Sequence, residues 1–150
     1  MKKRSENYEQ ALKWIVRILK RKKVRFNIIG GLAAYAYGSK RMLWDIDLAM
    51  KNKDFLKILP DVKEYVVEAP HYSKSKNWQC YYMELKYKGI AIEIGGAEGA
   101  KMLDSKTGKW KKLGDGLSKP VIREVFGLKL PIISKKNLIA YKKETHEKGR

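Results

Sequence analysis

From Ser5 to about Lys22 the apolar residues Tyr8, Leu12, Ile15, Val16 and Leu19 recur three or four positions apart, with Lys and Arg between them. That spacing draws one apolar stripe and predicts an amphipathic helix with a basic outer face and Ser5 as its N-cap. Arg25 to Ile29 reads as a short strand that Gly30-Gly31 breaks. Leu32 to Tyr37 is apolar and Ala-rich, and predicts a short buried helix stopping at Gly38. Trp44 to Met50 alternates as a strand. Asp54 to Leu59 reads as a helix or turn ended by Pro60, and Val62 to Glu68 as another strand.

Further along, Gln79 to Tyr87 and Ile90 to Ile94 read as two strands joined by a hairpin turn at Lys88-Gly89, with Gly95-Gly96 ending the second. The Lys-rich stretch from Lys101 to Lys119 suits a long hairpin carrying Trp110. Val121 to Ile133 suits one more pair of short strands. Ser134 is a good N-cap for a last helix, Lys135 to about Glu147. The order is helix, strand, helix, a run of strands, then helix. It predicts an α+β fold with a mixed, mostly antiparallel sheet flanked by helices. With 150 residues and no linker-like or repeated segment, the chain is expected to form a single domain over 1–150.

Composition changes this picture in two ways. Hydrophobic residues make up 44% of the chain, which excludes wholesale disorder. Lys plus Arg number 34 against 16 acids, a formal charge of +18. Such a field attracts polyanions, so RNA or DNA is an expected partner, with a solvated basic surface as the alternative. Only seven of the cations are Arg, and a Lys-dominated surface gives diffuse, salt-sensitive attraction rather than base reading. Cys80 is the sole cysteine, so no internal disulfide is possible. With no secretion signal and no apolar run of membrane-spanning length, a cytoplasmic protein without membrane contact is expected.

The candidate chemistry lies between Asn27 and Met50. In Trp44-Asp-Ile-Asp-Leu-Ala-Met50 the residues Ile46, Leu48 and Met50 face one side and Asp45, Asp47 and Ala49 the other. Asp is depleted in strands. Two carboxylates at contact distance repel by about 4 kcal/mol at an effective dielectric near 20. A divalent cation offsets that directly, because Mg²⁺ takes carboxylate oxygens together with substrate phosphates. Neighbouring lysines are the plainer alternative. Gly30-Gly31, between a strand and a helix, would let a ligand approach the main chain beside unpaired helix-start amides, where phosphate binds readily. Arg41 would be a phosphate contact or a salt bridge holding the loop.

Together, Ile28-Ile-Gly-Gly-Leu-Ala-Ala-Tyr-Ala-Tyr-Gly-Ser-Lys-Arg41 and Asp45-Ile-Asp-Leu48 resemble the nucleotidyltransferase superfamily that includes DNA polymerase beta, in particular its minimal and lincosamide-type branches. The resemblance implies that Asp45 and Asp47 hold two Mg²⁺ ions. These would bind a nucleoside triphosphate and align an acceptor hydroxyl for in-line attack on the α-phosphorus. It also implies a third carboxylate from a neighbouring strand. Glu93, mid-strand with small Ala91 and Gly95 on its face, is the candidate, as metal ligand and general base; Glu84 is the runner-up. Gly30, Gly31 and Arg41 would contact the nucleotide, and Lys142, in Leu138-Ile-Ala-Tyr-Lys-Lys143, matches a lysine that reaches the active site in several relatives. Gly31 stands where the superfamily commonly has serine, Glu93 where Asp is frequent, and the short chain leaves little room for a helical substrate domain.

The implied activity is transfer of a nucleoside monophosphate from an NTP to a hydroxyl of RNA or tRNA, a protein, or a small molecule. The alternative is a catalytically silent member serving as an RNA- or partner-binding module, as in toxin–antitoxin systems. Such short forms often act with a protein partner or as a homo-oligomer. His71 and His146 are isolated in the sequence, and the aromatics Trp78, Tyr81, Tyr82 and Tyr87 are expected in the core.

Overall fold

The computed structural model describes residues 2–113 and 116–140. Helix α1 (Lys2–Arg21) buries Tyr8, Ala11, Leu12, Ile15, Val16, Ile18 and Leu19, the stripe its spacing predicts. It starts earlier than expected: Ser5 lies inside the first turn and does not cap the helix. Lys20 and Arg21 sit in the last turn, where cations offset the helix dipole. The end is a Schellman-type cap, with Val24 N–H donating to Leu19 O and Lys23 N–H to Lys20 O, and Lys23 in the left-handed region at φ 56°. Arg21 and Lys22 both reach Asp61, at 3.6 and 3.3 Å, which ties this end to the helix carrying Asp61.

The strands are β1 (Phe26–Ile29), β2 (Ile46–Met50), β3 (Val66–Lys74), β4 (Trp78–Tyr87), β5 (Ile90–Gly96), β6 (Lys101–Leu103), β7 (Trp110–Lys112), β8 (Val121–Val125) and β9 (Leu128–Ile132). They join in one sheet of order β7-β6-β4-β5-β2-β1-β9-β8, with β3 also paired to β4. The β2–β5 and β1–β9 pairs are parallel and the others antiparallel, so the sheet is mixed and mostly antiparallel. Two hairpins turn on consecutive positive-φ residues, Lys88-Gly89 and Phe126-Gly127. That is the type I′ geometry that matches strand twist.

One face of the sheet packs the core. Ile28, Ile46, Leu48, Met50, Met83, Leu85, Ile92 and Ile94 are fully buried there, together with the stripe of α1 and with Phe55, Ile58 and Val62 of α3 (Phe55–Val62). Several boundaries differ from the sequence expectations. Pro60 lies inside α3 rather than ending it. Residues 63–65 form a 3-10 turn, so β3 begins later and runs longer than expected. Gly95 and Gly96 stay in β5 because Ala49 and Met50 of β2 pair with them. Beyond β9, Ser134 does cap a helical segment at 135–140: its Oγ accepts from Asn137 N–H at 3.2 Å. No described helix is long and apolar enough to cross a membrane.

Candidate active site

The opposite face of the sheet carries the acids. Register fixes their arrangement: Asp47 of β2 is the cross-strand partner of Glu93 of β5, Glu93 is the partner of Glu84 of β4, and Glu84 is the partner of Glu68 of β3. The four form one row across four strands. Adjacent strands lie about 4.8 Å apart, so Glu93 is directly beside Asp47 and Glu84 one strand further away. Asp45 stands one residue before β2 rather than within it, and comes within hydrogen-bonding reach of Glu93. Its carboxyl is held above the ordinary carboxylate range by partial burial first, then by the like charges of Glu93 and Glu84 and the bond to Glu93. Arg4 pulls the other way.

Helix α1 fixes the approach to this row. Tyr8 is buried and its hydroxyl donates to Asp45 O at 2.9 Å. The Arg4 guanidinium donates to Trp44 O at 2.9 Å and stacks 4.7 Å from the centre of the Trp44 ring. Burial, and then the charges of Asp47 and Asp45, push the Tyr8 hydroxyl well above the usual phenol range, so it stays a donor.

Helix α2 (Gly30–Ala36) fixes Asp47. The glycine pair does not separate strand from helix, as the sequence suggests, but forms the first residues of α2. Gly30 sits at φ 66°, and a Cβ there would lie 2.2 Å from Asp47 Oδ2. Two constraints therefore exclude a side chain at this position: left-handed backbone and the seat of the Asp47 carboxylate. Gly31 faces open space, with nothing within 4 Å of an added Cβ.

Tyr82 was expected in the core and lies on the acidic face. Its hydroxyl is 2.9 Å from Glu93 Oε1 and 3.0 Å from Glu84 Oε1. Met83 and Leu85 take the buried positions of β4, which turns Tyr82 and Glu84 outward to the row. Burial and the two carboxylates hold the Tyr82 phenol protonated far above its ordinary range. His71, the partner of Tyr82 on β3, stands edge-on to it, with Nε2 3.9 Å from Glu68. Cys80 is half-buried, and burial raises its thiol pKa, which suits packing rather than nucleophilic attack.

On β1, Asn27 is fully buried and donates both amide hydrogens, to Gly116 O at 2.7 Å and Ser118 O at 2.9 Å. A Cβ on Gly116 would lie 2.8 Å from Ala49 Cβ. The return of the β6–β7 hairpin is thereby clamped onto β1 and β2. A cleft of about 350 Å³ lined by Arg25, Lys51, Glu98 and Lys112 lies beyond the C-terminal end of β2, away from Asp45 and Asp47.

Residues 8–97 match the family described as "Nucleotidyl transferase of unknown function (DUF2204)". The match spans more than half of the chain and takes in every member of the carboxylate row. The chain belongs to this nucleotidyl transferase family. A search of curated proteins finds no match. Among solved structures, a proposed nucleotidyltransferase from Thermotoga maritima superposes with a TM-score of 0.75 at 24% identity, covering 94% of this chain and 86% of that one. ANT(2")-Ia, solved with adenylyl-2"-tobramycin, superposes with a TM-score of 0.58 at 15% identity, covering 92% and 76%. Both likenesses establish a shared nucleotidyltransferase fold.

The residues expected at the site are distributed along this family member's fold. Asp47 and Glu93 are cross-strand partners on β2 and β5, Asp45 lies just before β2 within reach of Glu93, and Gly30 stands against Asp47. Arg41 is exposed; its backbone N–H donates to Ser39 Oγ at 3.3 Å, and among the described residues its side chain forms no ion pair, so the expected salt bridge to the loop is not seen. Lys142 lies outside the described residues.

Nucleotidyltransferase folds generally use an NTP and a divalent metal. The donor chemistry here fits such an ion: all oxygen, three carboxyls, and open space above Gly95, where an added Cβ meets nothing nearer than 3.9 Å. Among the described residues, no three acidic, histidine or cysteine side chains close around one point as they stand. Glu93 accepts from the Tyr82 hydroxyl and lies within hydrogen-bonding reach of Asp45.

Proposed function

We propose that this protein is a metal-dependent nucleotidyltransferase that moves a nucleoside monophosphate from an NTP to an acceptor hydroxyl. The observation that carries the reading is the pairing of Asp47 with Glu93 on adjacent parallel strands, with Asp45 in reach of Glu93. Asp45, Asp47 and Glu93 would hold Mg²⁺, two ions by analogy with the fold. The metal would supply charge neutralisation at the triphosphate and alignment of the attacking oxygen.

The chain's own residues account for the remaining roles. Gly30 leaves the space beside its main chain to the Asp47 carboxylate. Gly31, open to solvent, and Arg41, exposed and without an ion pair among the described residues, supply main-chain and guanidinium contacts to the triphosphate. Lys142 would add a further cation. Glu93 takes the acceptor's proton as the hydroxyl attacks. The net charge of +18 favours RNA, tRNA included, as the acceptor, through diffuse attraction of phosphates. The adenylylated aminoglycoside bound by ANT(2")-Ia supports a small hydroxylated molecule as the competing acceptor class.

Calorimetric titration with Mg²⁺–NTP tests the site. Wild type is expected to bind, and Asp45→Ala/Asp47→Ala to lose at least about tenfold in affinity, as for loss of metal ligands and their supports. Equal binding by the two proteins would show that these aspartates hold no metal–nucleotide complex.

A further inference from the structure

We propose that Tyr82 is a positioning residue that presents Glu93 to the divalent cation, and that Glu84 anchors Tyr82 and is not itself a ligand. The inference rests on the cation site proposed above and assigns two residues that the reaction does not otherwise need.

The argument begins with the phenol. A tyrosine hydroxyl carries one proton and two lone pairs. Here it meets one oxygen from each of two carboxyls, Glu93 Oε1 at 2.9 Å and Glu84 Oε1 at 3.0 Å. Both carboxyls stand side by side in register on β5 and β4, where like charges would push them apart. The hydroxyl stands between them and shares its single proton between Glu93 Oε1 and Glu84 Oε1. By engaging Oε1 it fixes the rotation of the Glu93 carboxyl, beside Asp47 on the neighbouring strand.

The local sequence makes this possible. Tyr82 is opposite Gly95, two residues beyond Glu93 on β5. The hydroxyl reaches Glu93 on the diagonal of the strand pair, and the space over Gly95 itself stays open. His71, the partner of Tyr82 on β3, stands perpendicular to the ring with centroids 6.4 Å apart. Glu84 is two residues from Tyr82 on the same strand and face, so its carboxyl can hold the hydroxyl in place. It is also two strands from Asp47, about 10 Å away at the backbone. Glu93, at half that separation, is the acid nearer to a cation beside Asp47. Groups that orient a metal ligand through hydrogen bonds typically change metal affinity by about 10–100-fold when removed.

The test uses Mn²⁺ as a paramagnetic stand-in, with free ion counted by electron paramagnetic resonance on the full-length protein. Thermal melts accompany each variant. Tyr82→Phe keeps the ring and removes the hydroxyl. It is expected to weaken Mn²⁺ binding about tenfold with its melting temperature little changed. In turnover it should raise the Mg²⁺ concentration needed for half-maximal rate, with the rate at saturating Mg²⁺ largely recovered. Glu84→Gln, whose amide still bonds a hydroxyl, is expected to weaken binding no more than about threefold, whereas Asp47→Asn should abolish it. Wild-type Mn²⁺ affinity in Tyr82→Phe, with Asp47→Asn defective, would overturn the role of Tyr82 and leave the cation site standing. A loss in Glu84→Gln as large as in Asp47→Asn would make Glu84 a ligand and overturn the anchor assignment, and this arm decides the matter even if Tyr82→Phe does not fold. Wild-type affinity in Asp47→Asn would instead overturn the site on which the inference rests.

Discussion

Asp45 stands where a negative charge is costly, partly withdrawn from water and near the like charges of Glu93 and Glu84. Its folded-state pKa is raised, so the carboxyl favours the fold only while protonated. That contribution is complete below the ordinary value of 3.8 and is lost as pH rises through the raised value. Asp45→Asn removes the charge and with it the loss. Without divalent cation at pH 7, the variant is expected to melt above wild type. The gain should stay below about 1 kcal/mol, because the group is largely exposed and screened. For a chain of this size that is roughly 2–4 °C. At pH 3 the difference should vanish. Melts in the presence of a chelator at both pH values check this, and a lower melting temperature at pH 7 would contradict it. At this scale strand alternation indicated the face shared by Asp47 and Glu93, whereas Asp45 lies just outside β2. The place of Tyr82 was not legible. The aromatics of Gln79–Tyr87 alternate on both faces, and only the burial of Met83 and Leu85 reveals which face is the core.

The junction of β1, α2 and β2 shows how elements place a side chain. The left-handed Gly30 starts α2 while its bare Cα leaves room for Asp47. Gly30→Ala is expected to cost about 1–3 kcal/mol in backbone strain. It should also displace the Asp47 carboxylate and so lower turnover. Gly31→Ala is the matched control. Its Cβ meets nothing, its φ is not positive, and alanine is the better helix former, so stability should hold or rise slightly. Urea unfolding of both variants separates the cases, and equal stability of the two would contradict the steric account. The glycine pair was legible as important but was expected to break the chain rather than begin a helix. Propensity disfavours glycine in helices, and only the proximity of Asp47 explains its place. Hairpin turns were easier to read, since Lys88-Gly89 carries its own conformational signal. The early end of β5 was misjudged because pairing with Ala49 and Met50 outweighs the poor strand propensity of Gly95 and Gly96.

Across the whole molecule, two charge systems coexist. A large excess of lysine covers the chain, yet one face of the sheet gathers Asp47, Glu93, Glu84 and Glu68 in a single row. The fold class and the mixed sheet were legible from the order of elements. The row was not, because β2 and β5 pair in parallel across the whole of β3 and β4, and long-range register has no local sequence signal. That row, read with membership of the nucleotidyl transferase family, is why the acids are assigned to chemistry rather than to a solvated surface. The most direct test is label transfer. The protein is incubated with Mg²⁺, each NTP labelled at the α- or the γ-phosphate, and either total RNA or a panel of hydroxylated small molecules. Transfer of α-label to an acceptor is expected, with the γ-label released as pyrophosphate. Asp47→Asn should lower the rate at least about 100-fold, as expected for loss of a ligand that stabilises transition-state charge. Transfer of γ-label to the acceptor, or α-label transfer that Asp47→Asn leaves at the wild-type rate, would contradict the account.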